Sequence, residues 1–362
     1  MWDLHTHHLP PCYIDAIRRS GTRYIDGIPI ELCKDVLGWR VEAQLHHQDA
    51  LGIEKAYIGI SSPGVHLTPG DNEAARRLAR ECNDWTSTTV KEHGDRLGMF
   101  ASLPLPDVEG SVQEARRMSA EKGINHFVVM TNSHGVYLGD GRLDALWRSL
   151  DEMNAVVSIH PTAPCVRQPK AAKIIPSFRA ANEEGDDEAH LLSHGNPLLS
   201  TCFDPLIEYS FETARAITTM LLTDVFGRFP NIRWIVPHAG GALSSVLDRV
   251  LSAAPLLPSS PPSIDVASLK SNMLDACFFD LAGAPFPHQI EGLLVFLGGK
   301  EEASSKLVYG SDFPWTSTGS ANGKLKAAKE GVASRWTDQR HIDNIFFGNA
   351  RRLMSPSVDR SG

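Results

Sequence analysis

Eight short runs of apolar and β-branched residues recur along the chain, and segments with helical periodicity separate them. Several runs are apolar throughout, which is typical of parallel strands buried on both faces. Eight strand–helix units predict an α/β fold of the (β/α)8 TIM-barrel type. An open, doubly wound sheet is the alternative, but no glycine-rich phosphate loop follows the first run. The expected strands 1 to 8 are Trp2–His5, Ala56–Ser61, Met99–Pro104, His126–Thr131, Val156–His160, Arg233–His238, Cys277–Leu281 and Lys306–Tyr309.

Three segments between these strands have apolar residues spaced for one face of a helix. They predict helices at Asn72–Glu92, Ser111–Lys122 and Glu208–Phe229. Pro230 follows the last of them and is expected to end it, because proline cannot continue a helix.

Three long segments do not fit the strand–helix repeat. They are 10–40 after strand 1, 162–205 after strand 5, and the Pro- and Ser-rich Ala253–Ser268. Loops of this length are usually lids or mobile segments, and the first two follow strand ends where barrel enzymes place their chemistry. We therefore expect one barrel domain over 1–354, with inserted lid segments at about 10–40 and 162–205, and a C-terminal tail at 355–362.

Charge and hydropathy narrow the range of partners. The formal net charge is −8 and no basic block occurs, so nucleic acid is not expected as a partner. No run approaches the roughly 18 apolar residues that would span a membrane. The six cysteines are widely separated, which favours free thiols and a cytoplasmic protein over a disulfide framework.

Histidine and aspartate residues stand at the ends of four predicted strands. His5 and His7 leave strand 1, and residues two apart on a strand point to one face. His160 ends strand 5, His238 ends strand 6, and Asp312 lies just past strand 8. An HxH pair alone is a weak signal, because solvated or core histidines are common. The five residues at one end of a barrel predict a site for one divalent cation, with zinc first and manganese second.

This arrangement resembles the amidohydrolase superfamily, whose barrels use HxH on strand 1, His on strands 5 and 6, and Asp on strand 8. The finer resemblance is to its decarboxylase branch, typified by aminocarboxymuconate-semialdehyde and γ-resorcylate decarboxylases. The motifs that carry it are DLHTHHLPP from Asp3, IHPTAP from Ile159, FPNIRWIVPHAGGAL from Phe229 and LVYGSDFPW from Leu307. The stretch 131–134 has no Lys or Glu to bridge a second metal, so the resemblance implies a mononuclear site.

The resemblance also implies roles for individual residues. The expected metal ligands are His5, His7, His160 and Asp312. His238 is expected to orient a bound water or to move a proton. Asp3 matches a position that is a ligand in some members and a structural residue in others. Arg249 is expected either to organise Asp312 or His238, or to form an ordinary ion pair between helices.

Within the branch, the chain is most similar to fungal 6-methylsalicylate decarboxylases of polyketide secondary metabolism. The segments ISSPGVHLTPGD from Ile60, ASLPLPDVEGS from Ala101 and TNSHGVYLGDGRLD from Thr131 carry this similarity. The aminocarboxymuconate enzyme holds a substrate carboxylate with an Arg before strand 2, whereas residues 44–48 here contain none. A small aromatic monocarboxylate is therefore the expected substrate, with the rings of Trp39, Phe313 and Trp315 as candidate walls. Branch relatives are dimers, so we also expect a homodimer.

The expected reaction is non-oxidative decarboxylation of 6-methylsalicylate to m-cresol and CO2. Asp312 is the candidate general acid, with His238 adjusting it or a bound water. The same residues would also serve a lactonase or amidohydrolase, in which a metal-activated water is the nucleophile. A barrel used only for binding is the third hypothesis, but no expected ligand is missing.

Overall fold

The computed structural model describes residues 1–167, 192–194, 202–256 and 265–355. Its barrel strands coincide with the eight predicted runs, with shifts of a few residues at their ends. Strand 3 is divided at Phe100 into two short pieces. Strands 1 to 8 are Trp2–His7, Lys55–Gly59, Leu97–Met99 with Ala101–Ser102, His126–Met130, Val156–His160, Arg233–Val236, Cys277–Asp280 and Leu307–Val308.

The strands follow one another around the barrel in chain order. Every pairing between neighbouring barrel strands is parallel, and strand 3 joins strand 2 through its first piece and strand 4 through its second. Two backbone hydrogen bonds join strand 1 to the residues that follow strand 8. Leu4 N donates to Tyr309 O at 3.0 Å, and Asp312 N donates to His5 O at 2.8 Å. These bonds close the ring and confirm the predicted TIM barrel.

One extra residue in strand 1 decides where its histidines point. Asp3 pairs with Ala56, and Thr6 pairs with Ile58. Between these two pairs strand 1 advances by three residues and strand 2 by two, so strand 1 contains a β-bulge. Leu4 packs in the barrel interior with Val156 and Ile235. Side chains alternate between faces along a regular strand, so without this bulge His5 would face away from the interior that Leu4 occupies.

Helices cover the outside of the barrel. Asn72–Glu92 has the predicted bounds, and the helix predicted at Ser111–Lys122 begins earlier, at Val108. The other α-helices are Pro11–Ser20, Lys34–Leu37, Val41–Leu51, Asp144–Glu152, Glu208–Leu222, Val225–Arg228, Leu243–Ala253, Val266–Ala276, Gln289–Phe296, Lys300–Ser304, Thr318–Ala333, Gln339–Asp343 and Asn349–Met354.

The single helix predicted at Glu208–Phe229 is wrong. The chain forms two helices there, because Asp224 adopts a left-handed conformation with φ of 50°. Its carboxylate accepts a hydrogen bond from Gly227 N and thereby caps the second helix. The second helix ends at Arg228, two residues before Pro230.

The first insertion contains a short hairpin. Two short strands, Tyr24–Ile25 and Ile28–Pro29, pair antiparallel around Asp26 and Gly27. The second insertion lies largely outside the described residues, although Cys165–Arg167 pairs with Leu192–His194. Residues 257–264 of the third segment and 356–362 of the tail also lie outside them. In the described part of the chain, no helix combines the length and apolar character that a membrane span requires.

Trp147 provides a test of the packing between helices and strands. It is fully buried, its ring lies 5.3 Å from that of Trp234, and its Nε1 donates to Leu138 O at 3.2 Å. We expect Trp147→Ala to lower the free energy of unfolding by about 3–5 kcal/mol, because it leaves a large cavity and removes a hydrogen bond. Urea denaturation measures this loss. Val295→Ala, at a side chain that is 80% exposed, is the control and should change stability by less than about 0.5 kcal/mol. Equal effects of the two substitutions would contradict this account of the core.

Candidate metal centre

Three predicted ligands meet at the carboxyl ends of strands 1 and 5. The ring centroids of His5, His7 and His160 lie 4.7 to 5.4 Å apart, and all three side chains are buried. One ring nitrogen from each residue can be chosen so that the three atoms lie within 4.8 Å of one another. The structure therefore brings these residues together as the sequence predicts.

The hydrogen bond that Nδ1 of each histidine makes determines that Nε2 faces this space. His5 Nδ1 lies 2.8 Å from Asp280 Oδ2, His7 Nδ1 lies 3.3 Å from Gly59 O, and His160 Nδ1 lies 2.7 Å from Pro161 O. A carboxylate or carbonyl oxygen can only accept, so Nδ1 carries the proton in each neutral ring. The Nε2 lone pairs then point toward the shared space.

Asp312 brings a carboxylate to the same space. Its Oδ1 lies 3.7 Å from His5 Nε2 and 3.5 Å from His7 Nε2. Burial alone would raise the pKa of Asp312, but the contact with His7 and the nearby His5 and His238 lower it below its usual range. The carboxyl group is therefore an anion in these surroundings, as a metal ligand must be.

These atoms fit a divalent cation. Within the described part of the chain, Nε2 of His5 and Nε2 of His7 are buried without a hydrogen-bond partner, which is costly unless another group binds them. Three imidazole nitrogens and one carboxylate oxygen are a donor set that suits zinc or a similar ion, and such sites keep a further position open for water or substrate.

His238 stands beside this group. Its ring stacks on His5 with centroids 4.9 Å apart, and its Nε2 is buried without a partner among the described residues. Burial, together with the nearby His5, lowers the pKa of His238 to about 4. His238 is therefore neutral near pH 7 and can accept a proton or a hydrogen bond at Nε2. His5, His238 and Asp312 form a second cluster whose ligand atoms lie within 4.8 Å of one another.

Asp280, at the end of strand 7, was not among the predicted site residues. Its carboxylate accepts hydrogen bonds from the backbone N–H of His238 at 2.9 Å and of Ala282 at 3.0 Å, besides holding His5 Nδ1. Burial opposes the charge on Asp280, yet His5 and His238 lower its pKa below the usual range. The available signal was an acidic residue at the end of a buried strand between strands 6 and 8, which lead to His238 and Asp312.

Asp26 is the second residue that the sequence reasoning missed. The hairpin of the first insertion holds its buried carboxylate with Oδ1 3.8 Å from His160 Nε2. Burial and the nearby Asp312 raise the pKa of Asp26 well above its usual range when no cation is present. The sequence predicts this segment as a lid, but it does not indicate which of its acidic residues faces the site.

Within the single chain, no contact among the described residues joins Arg249 to the site, so its expected role stays a prediction. Its side chain is exposed on the helix Leu243–Ala253, and in the described residues it makes no ion pair with Asp312 or His238. Asp3 instead has the structural role. Its carboxylate accepts from His5 N at 3.1 Å and Ser311 N at 3.0 Å, which ties strand 1 to the segment after strand 8.

The three aromatic candidates belong to one hydrophobic cluster, with Trp39 and Phe313 buried in it and Trp315 packed against it. Phe313 and Trp315 follow Asp312 directly, and Trp315 Nε1 donates to Ser61 Oγ at 3.2 Å. Phe313 stacks on His47 with ring centroids 4.1 Å apart. Trp39 packs against the rings of His8 and Trp85.

Comparison with known proteins identifies the family of this chain. The model of the Amidohydrolase family matches residues 2–354. The chain belongs to the amidohydrolase family. A decarboxylase of Aspergillus niger, yanB, is 26% identical over 332 residues, which cover 88% of this chain and 78% of the relative. The 6-methylsalicylic acid decarboxylase of Penicillium expansum is 25% identical and covers 86% of this chain and 84% of its own length.

A solved structure supports the same fold. The 5-carboxyvanillate decarboxylase of Novosphingobium aromaticivorans, complexed with manganese and 4-hydroxy-3-methoxy-5-nitrobenzoic acid, has a TM-score of 0.75 at 19% identity. The similarity covers 97% of this chain and 95% of the other. Together these matches confirm the predicted amidohydrolase superfamily, its decarboxylase branch and an enzyme of the carboxy-lyase class.

Asp280→Asn tests whether this residue prepares His5 for metal binding in the amidohydrolase centre. The substitution keeps the shape but removes the charge that holds His5 Nδ1–H, and comparable changes around metal sites weaken affinity by roughly 10–100-fold. Competition with a chelator measures the affinity for zinc. Asp275→Asn, at an exposed position on the helix before strand 7, is the matched control. An affinity for zinc within twofold of wild type in a folded Asp280→Asn protein would show that Asp280 is dispensable for the metal.

Proposed function

We propose that this protein is a metal-dependent, non-oxidative decarboxylase of a small aromatic acid. The observation that carries the proposal is the convergence of three Nε2 atoms and the Asp312 carboxylate at the carboxyl ends of the barrel strands. The family and the decarboxylases at 25–26% identity support this chemistry over a lactonase or amidase. The proposed ligands are His5, His7, His160 and Asp312.

The proposed substrate is 6-methylsalicylate, and the products are m-cresol and CO2 in a secondary metabolic pathway. Similarity to a fungal enzyme that acts on this acid supports the choice. The segment 44–48 has no guanidinium to hold a second carboxylate, and Gln44 Oε1 instead accepts from the hydroxyl of Thr6 at 3.3 Å. Three nitrogen donors favour zinc as the metal, while the manganese in a relative of the same fold makes manganese the second candidate.

Aromatic decarboxylation needs a proton before the carboxylate can leave. The carbon–carboxylate bond of an aryl acid lies in the ring plane, so its electrons cannot enter the π-system of the intact ring. Protonation of that carbon breaks the aromaticity. The carbon–carboxylate electrons can then return to the ring as CO2 departs, and the new C–H bond replaces the broken one. When bound, the divalent cation supplies a Lewis acid that offsets negative charge on the substrate oxygens.

Asp312 is the proposed proton donor, because it lies within 4 Å of two imidazole Nε2 atoms at the mouth where the ring would enter. Its lowered pKa means that Asp312 must first take a proton from a water or from the substrate hydroxyl, which regains one from solvent after CO2 leaves. His238, neutral and stacked on His5, would orient that water or substrate hydroxyl. The buried surroundings exclude bulk water and so strengthen these interactions.

Removal of the metal tests the class of reaction. Protein stripped by a chelator should lose decarboxylation of hydroxybenzoates, and zinc or manganese should restore it. Purified protein should hold close to one divalent cation per chain, and His160→Ala should lose most of it. Product analysis by mass spectrometry should find m-cresol and CO2 from 6-methylsalicylate. Full activity of a metal-free preparation would refute the proposal, whereas a ring-opened acid from a lactone would support the hydrolase instead.

Asp312→Asn tests proton delivery. The amide keeps one oxygen for the metal but cannot act as the acid, so kcat should fall by at least the 10²–10⁴-fold that general acid catalysis typically contributes (about 3–6 kcal/mol). His238→Ala should keep the metal and slow turnover less. In D2O, the wild-type enzyme should place one deuterium on the carbon that held the carboxylate. An Asp312→Asn enzyme that holds its metal and turns over normally would leave Asp312 without a role in proton transfer.

A further inference from the structure

We propose that Asp26, from the hairpin of the first insertion, is an additional carboxylate ligand of the same cation. This inference rests on the proposed metal-dependent function, but it concerns a residue outside the predicted ligand set. It also gives the insertion a chemical role, because the metal would then connect the hairpin to the barrel.

The backbone holds Asp26 in a defined position. Asp26 and Gly27 form the tip of the hairpin with φ of 51° and 67°, and a left-handed conformation is uncommon for a residue other than glycine. Asp26 N donates to Ser62 O at 2.9 Å, which joins the tip to the segment after strand 2. Gly27 packs so tightly that an added Cβ would lie 2.6 Å from Asp204 Cβ. The Asp26 side chain is therefore positioned by its surroundings.

The carboxylate of Asp26 is buried and receives little stabilisation from hydrogen bonds. Its residue is only 4% exposed, and Tyr209 donates the one hydrogen bond that its side chain receives within the described residues, at a long 3.4 Å. A buried carboxylate ordinarily requires a cation or several hydrogen bonds. His160 also lies close, with its Nε2 3.8 Å from Asp26 Oδ1.

His160 cannot supply the missing hydrogen bond in its neutral form. Its Nδ1 proton is donated to Pro161 O at 2.7 Å, so Nε2 presents a lone pair to the carboxylate of Asp26. With Asp26 ionised, as a metal ligand must be, two electron-rich atoms face one another across this gap. His7 Nε2 and Asp312 Oδ1 face one another in the same way at 3.5 Å. A cation between the atoms turns both repulsions into attractions.

The spacing is compatible with direct ligation. Nitrogen and oxygen ligands lie about 2.0–2.2 Å from zinc, so two ligands of one ion can be up to roughly 4 Å apart. The 3.8 Å between Asp26 Oδ1 and His160 Nε2 falls within this limit. Joint ligation with His5 and His7 requires the ligand atoms to draw closer around the ion than they lie without it. With Asp26, the donor set becomes three nitrogens and two carboxylates, and a five-coordinate ion remains accessible to zinc and manganese.

The test measures metal affinity in the full chain, independently of decarboxylation. Zinc and manganese affinities are determined by chelator competition for wild type, Asp26→Asn and Asp26→Ala, with folding checked by circular dichroism. The matched control is Asp35→Asn, an exposed carboxylate of the same insertion. We expect affinity to fall at least about tenfold for both Asp26 variants and to change less than twofold for the control. Metal should also slow hydrogen exchange of the 24–29 hairpin in wild type and much less in Asp26→Asn.

Two outcomes would overturn the inference. If Asp26→Asn is folded and binds both metals within twofold of wild type, Asp26 is not a ligand, and a concurrent rise in KM would assign it to the substrate. If metal leaves exchange of the wild-type hairpin unchanged, the ion does not connect the hairpin to the barrel. A wild-type protein that binds metal but decarboxylates no hydroxybenzoate would instead refute the proposed function, and the affinity comparison would still decide the role of Asp26.

Discussion

The contact between Asp280 and His5 determines the geometry of the whole centre. One buried carboxylate holds His5 Nδ1 and also accepts the backbone N–H of His238, so strands 1, 6 and 7 share a single anchor. Because this contact fixes the protonated nitrogen of His5, it also fixes which atom can reach the cation. The stacking of His238 on His5 follows from the same anchor. A site built on one charge inside a barrel is rigid, and rigidity of the ligands reduces the cost of ordering them when the ion binds.

The overall architecture could be predicted from the sequence because parallel strands buried on both faces leave a simple signal. The run Val156–His160 has the same bounds in the structure, and the helix Asn72–Glu92 is also unchanged. The four proposed ligands could be identified because each follows the carboxyl end of a strand, where a barrel gathers its side chains. The order of the strands along the chain is enough to predict this gathering, and the apolar runs of the sequence indicate that order.

The remaining features depend on contacts that local patterns do not contain. The bulge in strand 1 reflects pairing with strand 2, some 50 residues away in the chain, so its effect on His5 was invisible in the sequence. Asp224 breaks a helix through its left-handed backbone, although the apolar periodicity continues across it. Asp280 belongs to the site because it contacts His5, which lies 275 positions earlier in the chain. The role expected for Arg249 likewise has no supporting contact within the single chain, where the helix turns that residue toward solvent.

The closure of the barrel between strands 1 and 8 has a consequence for how the protein is made. Thr6 contacts Phe313 across 307 positions of the chain, and the partners of His5 are likewise among the last barrel residues to be synthesised. A ribosome-bound chain that has emerged only as far as strand 7 therefore presents the first histidines without Asp312 and without the closing hydrogen bonds. The four proposed ligands can therefore come together only when synthesis is nearly finished.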